Sequence, residues 1–204
     1  MTRVLIADDH SIVRDGLKRI LASTPDLEVA GEASNGDQAL ALVKAHDYDV
    51  VMLDMSMPGL SGIDLIKRLK LEKPKLRILV LSMHGESQYA ARALKAGAAG
   101  YLNKDAAADA LLGALRKVAG GGVHIGDAAA AALLHKTESP HETLSDREFE
   151  VMRFLVDGLG PTEIAERLHL SVKTVSTHKT RILEKLGLGS TAELVRYVME
   201  HKLL

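Results

Sequence analysis

The stretch VVMLDMSMPG, residues 50–59, runs four apolar residues into a single aspartate, Asp54, and breaks on a Pro-Gly turn. A short, unbroken apolar run closed by a turn signal is the pattern of a strand buried on both faces, as in a parallel sheet covered by helices. Asp54 then stands at the carboxyl tip of that strand, where open parallel sheets bind their ligands. The neighbouring segments repeat the pattern. Up to residue 124, short apolar runs (RVLIA, LEVAGEA, DVVML, RILVLS, GYLN) alternate with longer segments of helical period (SIVRDGLKRILAS, GDQALALVKAH, GIDLIKRLKL, SQYAARALKAG, DALLGALRKVA). Five strand-helix units imply a doubly wound α/β domain with right-handed crossovers.

Composition narrows the function classes. The chain has 204 residues, is 47% hydrophobic, carries a formal net charge of -1 and contains no cysteine. That length fits one large domain or two small ones. Disulfides and thiolate metal sites are excluded, and any nucleic-acid contact must come from a local basic patch rather than from overall charge. The start, MTRVLIADD, lacks the apolar core of a signal peptide, and no run reaches the ~20 residues of a membrane helix. A cytoplasmic protein with no membrane partner is expected.

The predicted strands end in chemically suggestive residues. The first ends in Asp8 and Asp9, the third in Asp54, the fourth in Ser82, and the fifth just before Lys104. With a strand order of 2-1-3-4-5 the three carboxylates converge. They repel one another unless a cation is present, and an all-oxygen set suits a hard ion such as Mg²⁺. Lys104 and the Ser82 hydroxyl could hold phosphoryl oxygens, and a carboxylate can act as nucleophile toward phosphorus, with Asp54 the candidate. Each residue alone has a plainer reading: Asp8 or Asp9 as the cap of the helix near Ser11, Asp54 as a turn residue, Lys104 as a solvated side chain, His10 and His84 as surface residues.

ADD after the first strand, LDMSMPGLSG around Asp54, LSMH after the fourth strand and GAAGYLNKDA after the fifth, taken together, resemble a response-regulator receiver domain, a (βα)5 flavodoxin-like fold. The resemblance implies that Asp54 accepts a phosphoryl group from a sensor histidine kinase. It further implies Mg²⁺ held by Asp9, Asp54 and the backbone carbonyl of Ser56, with Asp8 acting through water. Ser82 and Tyr101 match the family's switch pair, Tyr101 turning inward on phosphorylation. Without the resemblance, Tyr101 could be core filling.

Beyond residue 126 the patterning changes class. DAAAAALLHK reads as a short helix and TESPHET as a linker, and from Leu144 only helical patterns follow. Ser145 with Glu148 forms a capping-box signature, and Gly158 is a stop. In SVKTVSTHKTRILEKLG, Ser171 is a natural N-cap, and Val175, Ile182 and Leu186 share an inward face. Lys173, Ser176, Thr177, Thr180 and Arg181 fall opposite. From Arg167 to Lys185 there are five basic residues against one acidic, whereas residues 125–204 hold 10 basic and 12 acidic, so positive charge is concentrated on this helix. A short helix, PTEIAERLHL, precedes it, the layout of a helix-turn-helix.

The segment from LSDREFEV to EKLGL resembles a LuxR-type DNA-binding domain. The two halves together are similar to regulators of the NarL/FixJ class: receiver at 1–122, linker with a short helix at 123–142, and a small four-helix helix-turn-helix domain at 143–204. The resemblance implies a phosphorylation-switched transcription regulator binding a double-stranded operator as a homodimer. Lys173, Thr174, Ser176, Thr177, Lys179, Thr180 and Arg181 are the expected DNA-facing residues. The chain departs from common family residues at Pro161-Thr162, Ser176 and Ser190-Thr191. Two other classes compete: a phosphatase using Asp54 as nucleophile, which would need a further general acid, and a phosphorelay or protein-binding module that never contacts DNA.

Overall fold

The computed structural model describes all residues except 61, 84–87, 127–129, 131–138, 202 and 204. The amino-terminal half is β1 (Thr2–Ala7), α1 (Ser11–Ala22), β2 (Leu27–Ala33), α2 (Gly36–Ala45), β3 (Val50–Asp54), α3 (Gly62–Glu72), β4 (Arg77–Ser82), α4 (Gln88–Lys95), β5 (Gly100–Asn103) and α5 (Ala108–Ala119). All neighbouring strands are parallel and the sheet order is β2-β1-β3-β4-β5. This is the order expected from the sequence.

Strand alternation divides the core into two layers. Val51 and Leu53 of β3 join Leu5, Ile78 and Val80 against α2, α3 and α4, while Val50 and Met52 join Val4, Ile6 and Leu79 against α1 and α5. Burial on both faces is why these strands read as continuous apolar runs.

The carboxy-terminal half begins with a 3-10 turn (Pro140–Thr143), followed by α6 (Asp146–Val156), α7 (Pro161–Leu168), α8 (Val172–Leu186) and α9 (Thr191–Glu200). The Ser145–Glu148 capping box is present, and Ser171 accepts the Thr174 amide at 3.0 Å, as the sequence predicts. Val175, Ile182 and Leu186 are buried on the inner face of α8. Of the predicted short helix over DAAAAALLHK, all but Ala130 lies outside the described residues. Pro140–Thr143 packs into the helical domain: His141 is buried, with Nδ1 3.1 Å from the Tyr197 hydroxyl.

The helical half is docked on the α3–α4 side of the receiver half. Tyr89 of α4 stacks on Phe149 of α6 with ring centroids 5.9 Å apart. Arg92 donates to the carbonyls of Leu144 and His141 and to Asp146, with its guanidinium 4.4 Å from the Phe149 ring centroid. Lys67 closes on Asp146 at 2.6 Å. The loop after β3 takes part too, for the Gly59 amide donates to the Arg167 carbonyl at 3.3 Å. Gly36 lets that loop lie against α2, since a Cβ there would fall 1.5 Å from the Leu60 carbonyl oxygen.

Candidate functional site

Ala7 and Leu53 are register partners in β1 and β3, so the residues that follow them, Asp8 and Asp54, emerge side by side. Both are 1% exposed. Lys104, following β5, reaches across with Nζ 2.7 Å from Asp8 Oδ2 and 2.9 Å from Asp54 Oδ2. Among the described residues, neither oxygen receives a hydrogen bond beyond that ion pair. The other Asp54 oxygen, Oδ1, accepts the Ser56 amide at 3.1 Å. Ser82 is buried at the tip of β4, and its carbonyl accepts the Lys104 amide at 2.8 Å.

Asp9 is open to solvent, and His10 Nδ1 lies 2.9 Å from its Oδ1 and 3.3 Å from Asp8 Oδ1. Neither aspartate caps α1: its N-cap is His10, with no side-chain cap, and the His10 amide donates to Asp8 at 2.8 Å. His10 is a surface residue, as expected, and it also flanks the acidic cluster. Its ring is largely exposed, and its Nδ1 lies beside the carboxylates of Asp8 and Asp9. His84 lies outside the described residues.

Electrostatics follow from the burial. Desolvation is the largest influence on Asp54 and pushes its carboxyl above the ordinary value, with Asp8 adding to the rise and Lys104 opposing it. For Lys104, burial works against the charge, but the attraction of Asp54 and Asp8 outweighs it and raises the ammonium pKa. Two carboxylates share one cation, so the site has one net negative charge before Asp9 is counted. One ligand atom each from Asp8, Asp9, His10 and Asp54 lies within 4.8 Å of the others, close enough to hold one metal ion. The buried oxygens with no donor beyond Lys104 are the observation that fits a hard divalent cation here.

Tyr101 is already inward, 1% exposed on β5 beneath α4, with its amide donating to the His124 carbonyl at 2.9 Å. Burial of this ring is what a core aromatic on β5 shows as well.

On α8, Lys173, Ser176, Thr177, Thr180 and Arg181 are exposed, and Thr174 and Lys179 are half-buried. Ser176, Thr177 and Thr180 donate their hydroxyls to the carbonyls of Val172, Lys173 and Ser176, one turn back. These hydroxyls offer an outside partner acceptor lone pairs, not donors. Lys185 leaves the basic patch: its Nζ sits 2.6 Å from the buried Glu148 carboxylate. Charge counting along the sequence could not see that Glu148 faces α8. The cationic face is thus Lys173, Lys179 and Arg181.

The description "Response regulator receiver domain" matches residues 4–116, and "Bacterial regulatory proteins, luxR family" matches residues 142–198. The chain belongs to the response regulators. Response regulator UvrY of Escherichia coli (strain K12) is 37% identical over 209 residues, covering 100% of this chain and 96% of that protein. The RcsB response regulator of Salmonella typhimurium superposes with a TM-score of 0.78 at 32% identity, covering 98% of this chain and 97% of the other. A structure of two RcsB dimers bound to two parallel DNAs gives a TM-score of 0.62 at 31% identity, covering 97% and 98%. The chain is a response regulator with a receiver domain and a LuxR-type domain, and its function is DNA-binding transcription regulation.

Arg153 and Arg92 were not singled out by sequence reasoning. The signal for Arg153 was present in EVMRFLV: it lies four residues after Phe149 and three before Val156, on the apolar face of a helix that should hold no charge.

Proposed function

We propose that Asp54 is the phosphoacceptor of this response regulator. A carboxylate oxygen of Asp54 attacks the phosphorus of a kinase phosphohistidine, a P–O bond forms, the P–N bond breaks, and the imidazole nitrogen leaves. The observation that carries this reading is the Asp8–Lys104–Asp54 constellation at adjacent strand tips. Lys104 holds the carboxylate in place and can shift to a phosphoryl oxygen as charge moves there. The Ser56 amide holds Asp54 Oδ1, and the Ser82 hydroxyl, buried at the tip of β4, would donate to a second phosphoryl oxygen. Asp9, Asp54 and the Ser56 carbonyl would hold Mg²⁺, with Asp8 acting through water. When bound, the ion neutralises charge on the transferring group.

A receiver implies a histidine-kinase partner, and these residues serve only the protein's own phosphorylation and dephosphorylation. We divide the chain into the receiver (1–122), a connector (123–142) and the DNA-binding domain (143–204). Residues Lys173, Thr174, Ser176, Thr177, Lys179, Thr180 and Arg181 face a double-stranded operator. The RcsB dimers on DNA favour a homodimer here, acting in the cytoplasm. Among the described residues no helix is long and apolar enough to cross a membrane.

Intact mass after incubation with acetyl phosphate and Mg²⁺ tests this. Wild type gains one phosphoryl mass, and Asp54→Asn gains none. Wild type without the adduct would sink the assignment of Asp54.

A further inference from the structure

Arg153 is the largest fully buried side chain among the described residues, at 0% exposure. It comes from α6 of the DNA-binding domain, yet its Nη2 donates to Ser56 Oγ in the receiver at 3.3 Å. Its guanidinium lies 4.9 Å from the ring centroids of both Tyr89 and Phe154. Among the described residues, Nε and Nη1 have no hydrogen-bond partner. Unmet donors on a buried cation are unfavourable, and apolar side chains of similar volume commonly replace buried charges without loss of stability. Stability alone therefore does not account for an arginine at this position.

Among the described residues, the one hydrogen-bonding partner of its guanidinium explains it better. Ser56 is held at two points: its amide donates to Asp54 Oδ1 at 3.1 Å, and its hydroxyl accepts from Arg153. The carbonyl of the same residue is the group assigned to the cation. We propose that Arg153 is a positioning residue for phosphoryl transfer, through which the DNA-binding domain orients Ser56 and tunes the cation site beside Asp54. The proposal rests on the reading of Asp54 and Ser56 given above. Groups behind metal ligands set ligand orientation, and their loss typically weakens metal binding about 10- to 100-fold. The coupling is reciprocal: if docking favours the cation, the cation favours docking by the same factor.

The test is a double-mutant cycle on the full chain, read by calorimetric Mg²⁺ titration. Arg153→Met and Ser56→Ala each raise the Mg²⁺ dissociation constant, by about tenfold for Arg153→Met. The double variant is no worse than the weaker single variant, because both remove one contact. Arg153→Lys recovers part of the affinity, while the urea midpoint of Arg153→Met stays at or above wild type. Mg²⁺ binding unchanged in Arg153→Met, or effects of the two substitutions that multiply, overturns the proposal.

If Arg153→Met does not fold, hydrogen exchange in Ser56→Ala decides. Faster exchange over 88–95 and 146–156 is expected, and unchanged exchange overturns the proposal. Wild type that takes a phosphoryl adduct while Arg153→Met binds Mg²⁺ normally removes this inference and leaves Asp54 standing. Wild type without an adduct removes the Asp54 reading first.

Discussion

Replacing Lys104 by methionine leaves Asp8 and Asp54 facing each other in a site nearly closed to water. In the wild type the ammonium sits 2.7 Å from one carboxylate and 2.9 Å from the other. At an effective dielectric of ~20, each contact is worth about 6 kcal/mol of attraction before desolvation. Burying the three charged groups offsets most of that, and removing one partner of a buried ionic set costs about 3–5 kcal/mol. Lys104→Met should therefore lower the unfolding free energy by that amount near pH 7.5 in EDTA, read from urea denaturation.

Two further outcomes are tied to the same cause. Loss of the cation leaves the Asp54 carboxyl higher still, so the folded variant holds a proton that the unfolded chain releases. Its deficit grows as pH rises above the ordinary carboxylate range and shrinks as pH falls back toward it. Mg²⁺ should stabilise the variant more than the wild type, since a divalent ion then supplies the missing positive charge. A variant as stable as wild type in EDTA, or one on which Mg²⁺ has no greater effect, would refute the idea that Lys104 neutralises this pair.

Ser171→Ala removes the acceptor that caps the Thr174 amide and should cost about 1 kcal/mol in urea denaturation, with DNA affinity falling in parallel. Lys179→Ala and Arg181→Ala should weaken binding to selected and random duplexes alike and each reduce the log-log salt slope by about one, measured by fluorescence anisotropy. A loss confined to one sequence would mark a base contact instead. Burial holds His141 below the ordinary imidazole value, with His201 adding repulsion, and burial does the same to His178. The unfolded chain protonates first, so stability is lost as pH falls from about 6.5 toward the folded values, and His141→Gln should flatten the urea midpoint between about pH 7.5 and 5.5.

Local features in the sequence placed most of the fold. Strand runs, the Ser145–Glu148 capping box, the Ser171 cap and the inward triad of α8 are periodicities or near-neighbour contacts, and each stands where the sequence predicts. The acidic site was legible because parallel strands in the order 2-1-3-4-5 carry residues that follow their tips to one place. What the sequence could not show depends on contacts between distant segments. Lys185 leaves the basic face because Glu148, 37 positions away, draws it inward. Arg153 meets Ser56 across 97 positions, and Arg92 meets Asp146 across 54. Nothing in the receiver stretch alone announces that a second domain will cover Tyr89.

The docked geometry also constrains how a switch at Asp54 can reach DNA. The seam is aromatic at its centre, Tyr89 on Phe149, and tied by Arg92 and Lys67 to Asp146 at its edge, a composition suited to reversible contact. Lys173, Ser176, Thr177, Thr180 and Arg181 nonetheless remain exposed, because the receiver touches α6 and the carboxyl end of α7 rather than the outer face of α8. This seam leaves the outer face of α8 open. A dimer reading half-sites about 34 Å apart needs two such helices at a fixed separation and orientation. Among the described residues, this seam holds α8 relative to its receiver, and its tie nearest Asp54 is Arg153 on Ser56, two residues away. On the proposed role of Asp54, a change there that moved Ser56 would act directly on this seam, so the signal would pass as geometry without any residue of the exposed α8 face being uncovered.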